Sequence, residues 1–149
     1  MKNGIKLFTI GFTKTTAENF FQRLIACNVN RVIDVRLNIT SQLSGFAKGK
    51  DIGYFLKAIG EIDYLHEPLL APTSEILNTF KKLNGPWSTY EKQFLGLMDA
   101  RKIDEKLSPD FFDQGCLLCS EDTPHHCHRR LVAEYLNDRW DTRIKVKHL

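Results

Sequence analysis

The sequence predicts a three-layer α/β domain, a mostly parallel sheet of about five strands with helices on both faces. Three observations carry this. Short apolar runs alternate with segments whose apolar residues recur at helical spacing, the rhythm of βαβ units with right-handed crossovers. The polar residues beside those runs gather at their carboxyl ends. The composition, 42% hydrophobic and 26% charged over 149 residues, is that of one globular domain able to bury roughly two-thirds of its unfolded surface.

The first strand is expected over Ile5–Ile10, followed by a turn at Gly11-Phe12-Thr13. Thr15 and Glu18 have capping-box spacing, and Phe20, Phe21, Leu24 and Ile25 form the buried stripe of the helix they open. Asn28–Asn30 closes it, and Arg31–Arg36 makes the second strand, apolar until its end. Leu37–Lys50 is the longest polar connection. Ile52, Phe55, Leu56 and Ile59 mark the next helix, stopped by Gly60, and Ile62–Leu65 is a short third strand. Pro72 and Thr73 open a helix bearing Ile76, Leu77 and Phe80, which Asn84-Gly85-Pro86 breaks. A second capping box, Ser88 and Glu91, precedes the stripe Tyr90, Phe94, Leu97 and Met98. Gly115–Cys119 is the fourth strand, His126–Asn137 the last helix and Arg143–Val146 the fifth strand. There is no internal repeat or low-complexity segment.

In a parallel sheet all carboxyl ends share one edge, where ligands bind in open α/β folds. Here that edge collects Thr13, then Asp34 and Arg36, then His66 and Glu67, then Cys119 and Glu121. The densest chemistry follows the fourth strand: Cys119, Glu121, Cys127, His128, Arg129 and Arg130 fall within one short stretch. The net charge of +3 is too small to imply nucleic-acid binding by itself, although Arg129, Arg130, Arg139, Arg143, Lys145 and Lys147 form a basic C-terminal cluster. No apolar run approaches the ~20 residues of a membrane span, so a cytoplasmic protein with no membrane partner is expected. Its four cysteines are then expected as reduced thiols or metal ligands. Asn38-Ile39-Thr40 matches a glycosylation acceptor, which carries no weight in that compartment.

Several motifs stand in order along the chain: Thr9-Ile10-Gly11-Phe12-Thr13, Val32-Ile33-Asp34-Val35-Arg36, His66-Glu67-Pro68-Leu69, and Cys119-Ser120-Glu121 with Cys127-His128-Arg129. Together they closely resemble the family catalogued as domain of unknown function 488, over essentially the whole chain. The resemblance implies a compact prokaryotic-type α/β domain and no established reaction. Its signature is carried by Asp34, Arg36, Cys119, Glu121, Cys127, His128 and Arg129. Many relatives have Gly-His in the first loop, where this chain has Phe12. Phe46 and Lys48 match a recurring Phe-x-Lys pattern, which favours the Leu37–Lys50 loop, with Ser41, Gln42 and Ser44, as a lid over a ligand.

Residue by residue, the chemistry divides. Cys116 and Cys119 have C-x-x-C spacing, but within a strand residues three apart face opposite sides, so no redox or zinc pair is expected of them. Cys116 and Cys27 read as core thiols. Cys127 is expected in the first turns of the last helix, where amides and dipole favour a thiolate, with Cys119 close by. His128, Arg129 and Arg36 suit a phosphate or carboxylate. Asp34, inside a buried strand, either pairs with an arginine or has a raised pKa and acts as acid or base. Glu121 is the better acid–base candidate. Thr13, His66 and Glu67 line the same edge. His125 and His126 are expected to be exposed, and Arg130 to be a solvated surface charge.

The leading expectation is a small enzyme of hydrolase or transferase type, acting on an anionic, nucleotide-like substrate. Cys119 or Cys127 would be the thiolate, and Glu121 and Asp34 the acid and base. The ligand contacts would come from Thr13, Arg36, His66, Glu67, His128 and Arg129, with no metal; the cofactor is unknown. An alternative is a zinc or iron site of Cys119, Cys127 and His128 completed by Glu121 or His66, weakened because helix neighbours diverge by about 100°. A nucleic-acid-binding module using the basic C-terminus ranks last. The sequence carries no signal for oligomeric state.

Overall fold

A computed structural model describes residues 4–39, 45–120, 126–140 and 143–149. Five strands, β1 (Gly4–Gly11), β2 (Arg31–Asp34), β3 (Asp63–His66), β4 (Gly115–Cys119) and β5 (Arg143–His148), form one sheet in the order β3-β2-β4-β1-β5. Every pairing is parallel. The sheet expected to be mostly parallel is therefore wholly so, and all its carboxyl ends do share one edge.

Two apolar clusters cover the two faces. On one, helices α1 (Ala17–Ala26) and α2 (Gly49–Gly60) bury Phe20, Phe21, Leu24, Ile52 and Leu56 against Phe8, Ile10, Val32, Cys116 and Leu118. On the other lie α3 (Ser74–Lys81), α4 (Trp87–Ala100), α5 (Ile103–Lys106), α6 (Pro109–Phe112) and α7 (His128–Arg139). They contribute Tyr90, Phe94, Met98, Ile103, Phe112, Leu131 and Leu136, packed on Leu7, Ile33, Val35, Leu117 and Cys119. Cys116 and Cys119 thus sit on opposite faces of β4, as the strand period requires. Buried on both faces, β4 has no exposed residue.

Helix boundaries differ from the expected ones in physically informative ways. Thr16, not Thr15, caps α1, its hydroxyl accepting from the Asn19 amide. Thr15 instead receives the Asn19 side-chain amide. The Ser88–Glu91 box does not form, because α4 starts two residues earlier, behind Pro86, whose fixed φ suits a helix start. Thr73 does cap α3, accepting from the Ile76 amide. At the end of α2 the left-handed residue is Glu61 (φ 53°) rather than Gly60. Gly60 sits in a close approach: a Cβ there would lie 3.0 Å from Ile62 Cδ1 and 3.2 Å from Ile25 Cγ1, so those side chains would have to give way. Cys27 caps the end of α1 and packs half-buried against the core of that face, whereas Cys116 is fully buried within it.

The expected lid divides. Ser41, Gln42 and Ser44 lie outside the described residues. Phe46 packs into the α1 face, its ring 5.3 Å from that of Phe20 and 5.8 Å from that of Phe21. It anchors the connection to the core and does not cover the carboxyl edge.

Candidate active site

The site is built where β2 and β4 end side by side. Beyond Asp34 the chain continues alongside β4, with the Val35 amide donating to the Leu118 carbonyl at 3.1 Å. The Thr13 amide donates to the Ser120 carbonyl at 3.1 Å, which fixes the exit of β1 against that of β4. Above these ends lies a cavity of about 190 Å³. Arg36, Asn38, Cys119, Ser120, Cys127 and His128 give it a polar side, and Pro72, Leu77, Phe80 and Tyr90 an apolar wall.

Arg36 is held from beneath. Its Nε and one terminal nitrogen donate to the two oxygens of Asp34 at 2.8 and 2.6 Å, and its own backbone amide donates to the same carboxylate at 3.2 Å. Residues two apart on an extended strand project to one side, so the Asp-Val-Arg spacing alone makes this pairing local. Tyr64, opposite Val32 on β3, adds a fourth donor to Asp34 at 2.6 Å. Burial and then the neighbouring carboxylate push the Tyr64 phenol well above its ordinary pKa, so it stays a donor. Burial works against the Arg36 charge, but the hydrogen bond and field of Asp34 outweigh it and its pKa is raised. The guanidinium stacks on Phe12 at 5.1 Å. Its remaining nitrogen, NH1, is buried with no hydrogen-bond partner among the described residues. His66 braces the same strand end, its ring Nε2 donating to the Arg36 carbonyl at 2.8 Å.

The thiols meet an imidazole. Cys127 is the N-cap of α7, with extended backbone (φ −137°, ψ 137°) rather than a place in the helix. This removes the helical divergence that weakened a shared site with His128. His128 is buried, and its Nε2 lies 2.5 Å from the Val35 carbonyl. A carbonyl only accepts, so Nε2 carries a proton. Nδ1 then faces the Cys119 sulfur at 3.6 Å. The Cys127 thiol's hydrogen bond, opposed by burial but aided by His128 and Arg129, brings the Cys119 thiol well below its ordinary pKa. Burial and the adjoining Cys119 drive Cys127 the other way, so it remains the protonated donor. Burial would lower the pKa of His128, but the Cys119 thiolate outweighs it and the imidazolium is favoured. Cys119 and His128 thus meet at the cavity wall in surroundings that favour a thiolate beside an imidazolium, with the Cys127 thiol next to them.

Arg129 is fully buried beneath the cavity, donating Nε to the Thr9 hydroxyl at 3.3 Å and a terminal nitrogen to the Cys127 sulfur at 3.7 Å. It bears on the thiols and does not line the cavity. Asp34 also stays beneath, its oxygens taken by Arg36 and Tyr64; pairing, not a free acid–base group, is what its burial produces. Thr13, His66 and Glu67 do not line the cavity, and Glu67 caps the short turn Pro68–Leu70 by accepting from the Leu69 amide at 3.2 Å. Glu121 and His125 lie outside the described residues. His126 is exposed but stacks on Trp87 at 4.9 Å. Arg130 is half-buried and pairs with Glu134 at 2.8 Å and Glu91 at 3.7 Å, not a freely solvated charge. Sequence reasoning missed Tyr64 and the apolar wall. Leu77, Phe80 and Tyr90 had read only as helix stripes.

Three of these side chains could hold a metal: one ligand atom each from Cys119, Cys127 and His128 lie within 4.8 Å of one another. His66 is not among them; its Nε2 is spent on the Arg36 carbonyl. Of the basic C-terminal residues, Arg139 pairs with Asp99 at 2.8 Å. Arg143, Lys145 and Lys147 alternate along the exposed side of β5, an edge strand, where charge discourages further strand pairing. Among the described residues no helix is long and apolar enough to cross a membrane.

Fold and site together define a parallel α/β protein with a buried cysteine–histidine–arginine cluster at the carboxyl edge of its sheet. The chain belongs to the family described as Domain of unknown function DUF488, whose model matches residues 16–136. Neither the curated proteins nor the solved structures include a significant match.

Proposed function

We propose that this protein is a cysteine-dependent enzyme of hydrolase or transferase type acting on a small anionic substrate. The observation that carries the reading is the Cys119–His128 contact of 3.6 Å at the wall of a cavity that Arg36 also lines. Cys119 is the nucleophile, and His128, held by the Val35 carbonyl, stabilises the thiolate and returns a proton to the leaving group. Cys127 donates to the thiolate. Arg36, fixed by Asp34 and Tyr64, offers its positive charge to the anionic end of the substrate from the cavity lining, and Leu77 and Phe80 take an apolar portion. At about 190 Å³ the cavity is below the ~300 Å³ at which ordinary ligand pockets begin. A nucleotide would therefore place only its anionic end inside the described lining.

The test compares alkylation of Cys119 by iodoacetate and by neutral iodoacetamide. The Arg36 subsite predicts that Cys119 prefers the anionic reagent, while Cys27 does not, and that inorganic phosphate protects Cys119. Equal reactivity of the two reagents at Cys119, unaffected by phosphate, would remove the anion subsite. An inert Cys119 would remove the nucleophile.

A second reading, a zinc or iron site, is favoured by the convergence of Cys119, Cys127 and His128 within 4.8 Å. A backbone carbonyl on the far nitrogen of His128 is the kind of contact that orients metal-bound imidazoles. About one metal per chain in protein purified without chelator, with both thiols shielded from alkylation, would put this reading first.

A further inference from the structure

We propose that Cys119 and Cys127 also form a two-thiol peroxide-reducing site, closing into a reversible disulfide. It rests on the reading of Cys119 as the nucleophile and adds an oxidising substrate, a hydroperoxide, to the same cavity.

The placement of the four cysteines singles out this pair. Cys116 is separated from Cys119 by the sheet, and Cys27 lies at the end of α1 on that far side. Cys119 and Cys127 face the same cavity with their sulfurs within 4.8 Å. A disulfide needs about 2.05 Å between sulfurs, so a short approach closes the bond. The surroundings permit it. Cys127 precedes the first turn of α7 in extended backbone, so its position is not fixed by the hydrogen-bond ladder of the helix. The cavity brings a small peroxide to both sulfurs and is too small for a bulky oxidised partner.

The chemistry balances. The Cys119 thiolate attacks one oxygen of the hydroperoxide; an S–O bond forms, the O–O bond breaks, and the other oxygen leaves as an alcohol or water after taking the proton of His128. Cys119 is now a sulfenic acid. The Cys127 sulfur attacks it, the S–S bond forms, and the sulfenic oxygen leaves as water with the Cys127 proton. Two thiols are oxidised by two electrons, which reduce the peroxide. A low-molecular-weight thiol returns the disulfide to the starting state. The resolving thiol must lie close to the sulfenic sulfur, and Cys127, within 4.8 Å of Cys119, meets that requirement.

The experiment treats full-length protein with a small excess of hydrogen peroxide at neutral pH. Remaining thiols are then alkylated under denaturing conditions and the peptides mapped by mass spectrometry. The expected result is loss of two of the four thiols, a crosslinked Cys119–Cys127 peptide, and full recovery with dithiothreitol. In Cys127→Ser, Cys119 should instead be captured by dimedone as a sulfenic acid. Wild-type protein that accumulates Cys119 sulfenic or sulfinic acid without the crosslink would overturn the pairing while leaving the nucleophile in place. A crosslink to Cys27 or between chains would overturn it as well. No oxidation, with Cys119 also inert to alkylation, would overturn both readings.

Discussion

Replacing Asp34 with Asn removes one negative charge and leaves the side-chain shape almost unchanged. Arg36 would keep a guanidinium whose side chain is only 4% exposed, now without its counter-ion. One of the two carboxylate oxygens, at 2.8 or 2.6 Å from an arginine nitrogen, becomes an amide nitrogen, a donor facing a donor. Two unit charges about 4 Å apart attract by about 4 kcal/mol at an effective dielectric of ~20. Removing one partner of a buried pair costs ~3–5 kcal/mol by precedent. Domains of ordinary stability have ~5–15 kcal/mol in total, so this is a large share. With a melting-temperature change of ~2–4 °C per kcal/mol for chains of this size, Asp34→Asn should lower Tm by on the order of 10 °C. Urea unfolding at neutral pH reads the free energy directly, provided the m-value is unchanged. The double variant Asp34→Leu with Arg36→Met removes both charges and should recover most of the loss, because no charge is then left stranded. A loss below about 1 kcal/mol for Asp34→Asn would refute the argument that Arg36 is held in place by its carboxylate.

Tyr64→Phe deletes one hydrogen bond to a buried carboxylate and should cost about 1.5–3 kcal/mol in the same assay. Iodoacetamide alkylation of Cys119 should be nearly flat across neutral pH and fall only in acid, whereas an ordinary thiol of pKa ~8.5 gains about tenfold per unit; His128→Gln, with Cys127 still donating, should steepen the profile part of the way and slow the neutral-pH rate. The same pair predicts a stability profile. His128, raised in the fold, contributes below its unfolded value and loses that contribution as pH rises through its folded one; Cys119, lowered, contributes above its unfolded value and loses that as pH falls through its folded one. The pair's contribution is therefore greatest between about pH 6.5 and 8.5, and the urea midpoint of wild type minus that of His128→Gln should peak there. Gly96, in the interior of α4, has open space where a Cβ would go, so Gly96→Ala should raise stability by about 0.5–1 kcal/mol.

What the sequence made legible follows from local geometry. The apolar runs located all five strands, and because the strands are parallel, the polar residues at their ends had to share an edge. The Asp34–Arg36 pair was readable because residues two apart on a strand share a side. Cys116 and Cys119 were separated by the same rule. Less local features were not readable. Tyr64 reaches Asp34 only because β3 pairs with β2 in the register Val32 to Tyr64. His128 is oriented by Val35, 93 residues away in sequence. The four-residue helices α5 and α6 are too short to display a period. The start of α7 was placed early because cysteine is not a usual N-cap residue, and that displacement put Cys127 inside the helix and left either it or Cys119 as the thiolate. Thr13 and Glu67 were placed correctly at the edge, yet backbone and turn hydrogen bonds tie their segments down. Position at a strand end does not reveal whether a side chain is already committed.

The strand order carries a consequence for biosynthesis. β1 and β2 are made early, but the place between them belongs to β4. Until residue 119 has left the ribosome tunnel, both carry an unpaired edge of the kind that recruits other chains. Such a long-range closure is also intrinsically slow. The strand that fills the gap is the one that ends in Cys119. The contact between Cys119 and His128 therefore forms only when the last central strand locks the sheet.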